Sequence, residues 1–133
     1  MLARVGGSFH IIIKFPLFVL SDLCPPDWNT LSTGCYRFEP GDGFYKYVEA
    51  KQACVNRGGF LVEIDDKKEE EVLQKFYRDQ NIKDKQGFWL GASDRLTEGE
   101  WIWEYSGNKM SYSNWAKENP INIPPLFKQP DNM

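Results

Sequence analysis

The sequence predicts an α+β domain on three observations: two segments whose apolar residues recur at helical spacing, several short runs of strand character, and a proline- and asparagine-rich C-terminal stretch that fits neither. The first helical segment runs from Tyr45 to Gly59 and places Tyr47, Ala50, Ala53 and Cys54 on one face. Gly58-Gly59 ends it, because glycine takes up the left-handed conformation that closes a helix at little cost. Phe60-Leu61-Val62-Glu63-Ile64 then reads as a short strand. A second helix starts after Asp65-Asp66, whose side chains suit an N-cap, and turns Val72, Leu73, Phe76 and Tyr77 inward. Its Glu69-Glu70-Glu71 cluster fans around the helix and reads as a solvated face rather than a metal site. Phe88-Trp89-Leu90-Gly91 and Trp101-Ile102-Trp103-Glu104-Tyr105 read as strands, the latter with Trp101, Trp103 and Tyr105 alternating onto one face. From Ser111 to Met133, residues such as Asn114, Asn119, Pro120, Pro124, Pro125 and Pro130 favour a long structured loop, a kind of segment that often carries function.

At 133 residues, with 41% hydrophobic and 15% aromatic side chains, the chain has the material for one core and is not a disordered tail. A net charge of −3 made of interspersed signs, without a basic stripe, argues against a nucleic-acid partner. The three cysteines, Cys24, Cys35 and Cys54, show no metal-type spacing. Cys24 and Cys35 flank a short aromatic segment and could staple a hairpin, worth about 3 kcal/mol in the loop-entropy account. A reduced chain with a buried free Cys54 is the alternative at this level.

The apolar run from Phe9 to Leu20 is too short to cross a membrane. Following Arg4, it reads as the h-region of a secretory signal or its remnant, which divides the chain into residues 1–22 and a domain over residues 23–133. A β-strand of Ile, Phe and Val paired with the domain is the other reading.

Several pieces in order resemble a C-type lectin-like domain from Cys24 to Met133. Cys24-Pro25-Pro26-Asp27-Trp28 with Gly34-Cys35-Tyr36-Arg37-Phe38 is similar to the family's opening hairpin. Tyr47-Val48-Glu49-Ala50, Cys54, Gly58-Gly59, Leu61 and Ile64 resemble its first helix and strand, with Tyr47 where the family usually has Trp. Trp89-Leu90-Gly91 and Glu98-Gly99-Glu100-Trp101-Ile102-Trp103 resemble the central signature, and Tyr112-Ser113-Asn114-Trp115 the opening of the long loop. The resemblance implies a C-type lectin-like fold, two helices flanking antiparallel sheets with a long structured loop. It implies a Cys24–Cys35 disulfide. The family partner of Cys54 and the late strands would lie beyond Met133, which leaves Cys54 unpaired and predicts bare apolar surface on helix one and the Trp-rich strand, inviting aggregation or disulfide-linked dimers.

Gln129-Pro130-Asp131 resembles the family's galactose-type triplet, in which Gln and Asp bind calcium and the sugar together and the proline is cis. Counting from Trp115, the usual spacing falls instead on Asn119-Pro120-Ile121, so the triplet requires an insertion over Asn122 to Lys128. The implied metal ligands are Gln129, Asp131 and Asn132, with Asp94 and Glu98 at positions of an auxiliary calcium site. A bland alternative makes the last two surface ion-pair partners of Arg95. With the closing segment missing, Ca2+ binding is expected to be weak.

The resulting expectation is an extracellular, secreted lectin-like module for galactose-type glycans. Its alternatives are a calcium-independent protein-binding module or a non-functional fragment. An enzyme fits worst: the one histidine, His10, lies in the apolar N-terminal run, Cys54 faces a core, and no nucleophile sits beside a base.

Overall fold

The structure, a computed structural model, describes residues 9–16, 24–39, 45–82, 87–112 and 127–128. Its centre is β1, Ile11–Lys14, which lies between two antiparallel neighbours, β3 (Gly34–Glu39) and β4 (Phe60–Leu61). β2 (Asn29–Leu31) forms a hairpin with β3 and completes the sheet order β2-β3-β1-β4. The helices are α1, Tyr47–Asn56, and α2, Lys67–Arg78. Beyond them, β6 (Ala92–Ser93) pairs antiparallel with β7 (Ile102–Trp103), and β5 (Phe88–Trp89) pairs parallel with β8 (Phe127–Lys128).

Two cores flank β1. Ile12 packs with Tyr36, Val62, Leu73, Tyr77 and Trp103 on the α2 side. Ile11 and Ile13 pack with Ala50, Cys54, Leu61 and Trp89 on the α1 side. Side chains alternate along a strand, so a strand with a core on each face must be apolar at consecutive positions. That is the strand reading of the apolar run: β1 pairs with the domain along both its edges. On α1, Cys54 is 1% exposed and Trp89 beside it is fully covered, while Val48 and Val55 are 77% and 66% exposed, apolar surface of the kind expected on helix one.

Both helices follow their sequence signals. Glu49 Oε1 accepts from the Lys46 N–H at 3.0 Å at the start of α1, and Asp66 Oδ1 accepts from the Glu69 N–H at 2.9 Å at the start of α2. Gly58, at φ +81°, bends the chain so that the Gly59 N–H reaches the Cys54 carbonyl at 2.9 Å. Gly59 is required for space as well, since a Cβ there would meet Lys14 O at 2.7 Å.

The glutamate cluster of α2 differs from its reading as a solvated face. Glu71 is exposed, but Glu69 and Glu70 are buried at 3% and 4%. Glu69 Oε2 accepts from Lys14 Nζ at 2.7 Å and from the Tyr36 hydroxyl at 2.5 Å, while Oε1 accepts from the Asp65 N–H at 2.9 Å. The Tyr36 proton being spent on Glu69, the Thr33 hydroxyl donates to Tyr36 Oη, 2.9 Å away. Glu70 accepts from Gln74 Nε2 and from the Tyr112 hydroxyl, and burial, with that bond next, pushes the Tyr112 phenol up to about 12. Desolvation is tolerated because donors surround both carboxylates.

The predicted alternation of Trp101, Trp103 and Tyr105 also fails. Trp103 is buried and Trp101 packs partly against the core, but β7 ends at Trp103, and the exposed Tyr105 stacks on Phe60 with ring centroids 3.9 Å apart.

Replacing Ile12 by Ala is expected to destabilise the domain by about 2–5 kcal/mol in denaturant titration. A chain begun at Leu17 is expected to lose near-ultraviolet circular dichroism altogether; a truncated chain that retains a cooperative transition would show that β1 is dispensable.

Candidate functional site

A row of backbone hydrogen bonds leads from the sheet to the loops. The Val62 N–H donates to Ile12 O at 3.1 Å, Gly91 N–H to Val62 O at 3.0 Å, and Glu104 N–H to Gly91 O at 2.7 Å. Gly91 must be glycine, for a Cβ would stand 2.7 Å from Leu61 O. The row fixes the segment after β6, residues 94–99, and the hairpin turn after β7, which closes through a Gly107 N–H to Trp103 O bond of 2.8 Å.

Asp94 opens that first loop. It is 8% exposed, and its Oδ2 accepts from the Gly99 N–H at 3.1 Å, so the carboxylate holds the loop's two ends together. Glu98 is exposed. Neither carboxylate forms an ion pair with Arg95 among the described residues. No group of three or more His, Cys, Asp or Glu among the described residues is arranged to hold a metal ion. Beside the loop a cleft of about 490 Å³ opens between Arg95, Leu96, Ile102 and Glu104; Asp94 and Glu98 do not line it. The remaining predicted ligands, Gln129, Asp131 and Asn132, lie outside the described residues, as do Pro130 and the alternative Asn119-Pro120-Ile121 register.

The cysteines stand as the resemblance implied. Cys24 and Cys35 are bonded, with Cα atoms 5.6 Å apart, and Cys54 is free and buried. Burial, with the Glu39 charge second, pushes the Cys54 thiol up to about 12. His10 is buried too, its Nδ1 2.8 Å from the Tyr77 hydroxyl, where it holds a core together rather than facing a cleft.

Sequence reasoning missed Glu63. It lies just past β4, 4% exposed, and its Oε2 accepts from the backbone N–H groups of Tyr105 at 2.7 Å and Ser106 at 3.3 Å. Burial raises its pKa, and those hydrogen bonds only partly offset the rise. The available signal was a carboxylate inside the apolar run Phe60 to Ile64.

The profile of the Lectin C-type domain matches residues 45–124. The chain belongs to the C-type lectin domain family. This lectin domain is 38% identical over 99 residues to a perlucin-like protein of Mytilus galloprovincialis, an alignment covering 74% of the chain and 62% of that protein. It is 28% identical over 97 residues to the galactose-specific lectin nattectin of Thalassophryne nattereri, covering 73% of the chain and 58% of that protein. The chain thus spans about three fifths of these relatives' length. Among solved structures it is similar to the cow C-type carbohydrate-recognition domain of CD23, determined in the presence of a GlcNAc2Man3 oligosaccharide, with a TM-score of 0.60, 34% identity and coverage of 74% of this chain and 70% of that one. The chain is a C-type lectin domain, not an enzyme. No helix among the described residues is long and apolar enough to cross a membrane.

Two outcomes follow from the buried groups. Iodoacetamide near neutral pH is expected to leave Cys54 unmodified in the folded domain and to label it in denaturant, as mass spectrometry would record; labelling of the native protein would contradict the burial. For Glu63, a folded pKa above its unfolded value means that its contribution to stability is fully present below the unfolded pKa and is lost as pH rises through the folded one. Glu63→Gln keeps an oxygen for the two N–H donors and has no charge to bury. As pH rises from about 4, the variant is therefore expected to lose less stability than the wild type in parallel urea titrations; identical pH profiles would contradict the assignment.

Proposed function

We infer that this lectin domain is extracellular and binds galactose-type glycans with the help of calcium, through the loop that Asp94 anchors and the long loop after Tyr112. The observation that carries the reading is the Asp94 carboxylate, buried yet bonded, among the described residues, through one oxygen to its own loop at Gly99. Its orientation is set before any ligand arrives, and the second oxygen is left over as an acceptor. Asp94 and Glu98 would supply carboxylate oxygens, and Gln129, Asp131 and Asn132 amide and carboxylate oxygens, the donor chemistry that calcium prefers. Bound calcium offers open coordination positions to neighbouring sugar hydroxyls. Gln129 and Asp131 would then orient those hydroxyls through their remaining hydrogen-bonding atoms. The galactose preference is supported by the Gln129-Pro130-Asp131 triplet and by the specificity named for nattectin. A Cys24–Cys35 bridge suits an oxidising, extracellular setting.

The test is retention on immobilised galactose and, in parallel, mannose, at about 5 mM calcium because extracellular sites of this kind are often of about 0.1–1 mM affinity. Retention on galactose with elution by a chelator is the expected outcome, and Asp131→Ala and Asp94→Asn should each reduce it at least tenfold. Binding that ignores the chelator would remove calcium from the account. Passage through both columns would remove the sugar.

A further inference from the structure

A cavity of about 340 Å³ opens between α1 and the stretch that follows β4, away from the Asp94–Gly99 loop residues, none of which lines it. Cys54 and Val55 of α1 form one wall. The Phe60–Tyr105 pair, its planes within 3° of parallel, forms another. The volume is at the lower end for small-molecule sites and holds one ring with a short arm.

Its charges are unequal. Lys51 and Glu104 at the rim are paired at 3.1 Å, which leaves Glu63 as the unbalanced charge. No described cation pairs with Glu63: it is bonded to the neutral N–H groups of Tyr105 and Ser106 and to the Ser106 side chain, and Lys14, which also acts on it, has its Nζ held by Glu69 at 2.7 Å. A desolvated carboxylate beside aromatic faces, which are themselves negative, is an environment that stabilises an organic cation.

We propose that this cavity is a second ligand site, taking a small primary amine that carries one aromatic ring, with the ammonium on Glu63 and the ring between the Phe60–Tyr105 pair and Val55. An acid would meet repulsion from Glu63, and a neutral alcohol of the same shape would leave that carboxylate without a counter-charge. The occupied site would therefore discriminate by charge among ligands of one shape.

Phenethylamine, 2-phenylethanol and 3-phenylpropionate are titrated into the full chain, with a chelator present so that the outcome is independent of calcium and sugar binding. Amide chemical shifts and calorimetry are the readouts. Phenethylamine is expected to move the amides of Val55, Glu63 and Tyr105 and to bind at least tenfold more tightly than the alcohol, with no binding of the acid. Glu63→Gln should abolish the preference for amine over alcohol. Val55→Trp, at a position 66% exposed and therefore tolerant, should block both ligands by filling the mouth. Equal binding of amine and alcohol, shifts confined to other residues, or no binding of the amine by the wild type would each overturn the proposal.

Discussion

Ile11, Ile12 and Ile13 point alternately into two separate cores, and a strand so placed has no room for a polar residue until it leaves both of them at Lys14. Everything else is arranged around that strand. β3 and β4 pair with its two edges, α1 covers Ile11 and Ile13, and α2 covers Ile12. Each isoleucine removed from water contributes roughly 1.5–3 kcal/mol, so a four-residue strand supplies an amount comparable to the net stability of a small domain. Lys14, the first polar position, does not simply return to solvent. Its ammonium ends on Glu69, whose carboxylate also receives the Tyr36 hydroxyl, so one buried acid joins β1, β3 and the first turn of α2.

The same strand sets the position of the loops proposed to carry recognition. From Ile12 the hydrogen bonds pass through Val62 and Gly91 to Glu104. At Gly91 the neighbouring strand approaches too closely for any side chain, so the distance between the sheet and the β6–β7 pair is fixed by backbone contact. Asp94 and the turn at Gly107 project from opposite ends of that pair, and the cleft between them is a consequence of its geometry. A rigid scaffold carrying variable loops is the usual division of labour in binding domains.

How much of this was legible depended on whether a residue's environment was local. The faces of both helices, the Asp66 cap of α2 and the glycines that end α1 are set within a turn or two, and Tyr47, Ala50, Ala53 and Cys54 lie on the face the spacing gave them. β1 was ambiguous because burial on both faces erases the polar alternation that marks a strand, leaving a run of the same composition as a secretory h-region. Glu69 and Glu70 misled for the opposite reason: their partners, Lys14, Tyr36 and Tyr112, are 33 to 55 residues distant in sequence. At the candidate site, Asp94 was singled out by the resemblance and finds its donor within the same short loop, at Gly99, whereas Glu63 finds its donors 42 and 43 residues downstream.

Glu63 and Glu69 make the most informative comparison, because the two carboxylates are almost equally buried, one just past β4 and the other in the first turn of α2. Glu69 has an ammonium at 2.7 Å and a phenol at 2.5 Å, so its charge is answered within the protein and nothing else is needed there. Glu63 has hydrogen bonds but no ion-pair partner among the described residues, and neutral donors stabilise a carboxylate less than an ammonium does. Burial therefore raises its pKa. A fold selected only for stability would gain by replacing such a carboxylate with an amide or an apolar residue of similar size. Retaining it beside an open cavity, where an arriving cation can supply the missing charge, places Glu63 with the groups that act on a ligand and Glu69 with those that hold the fold.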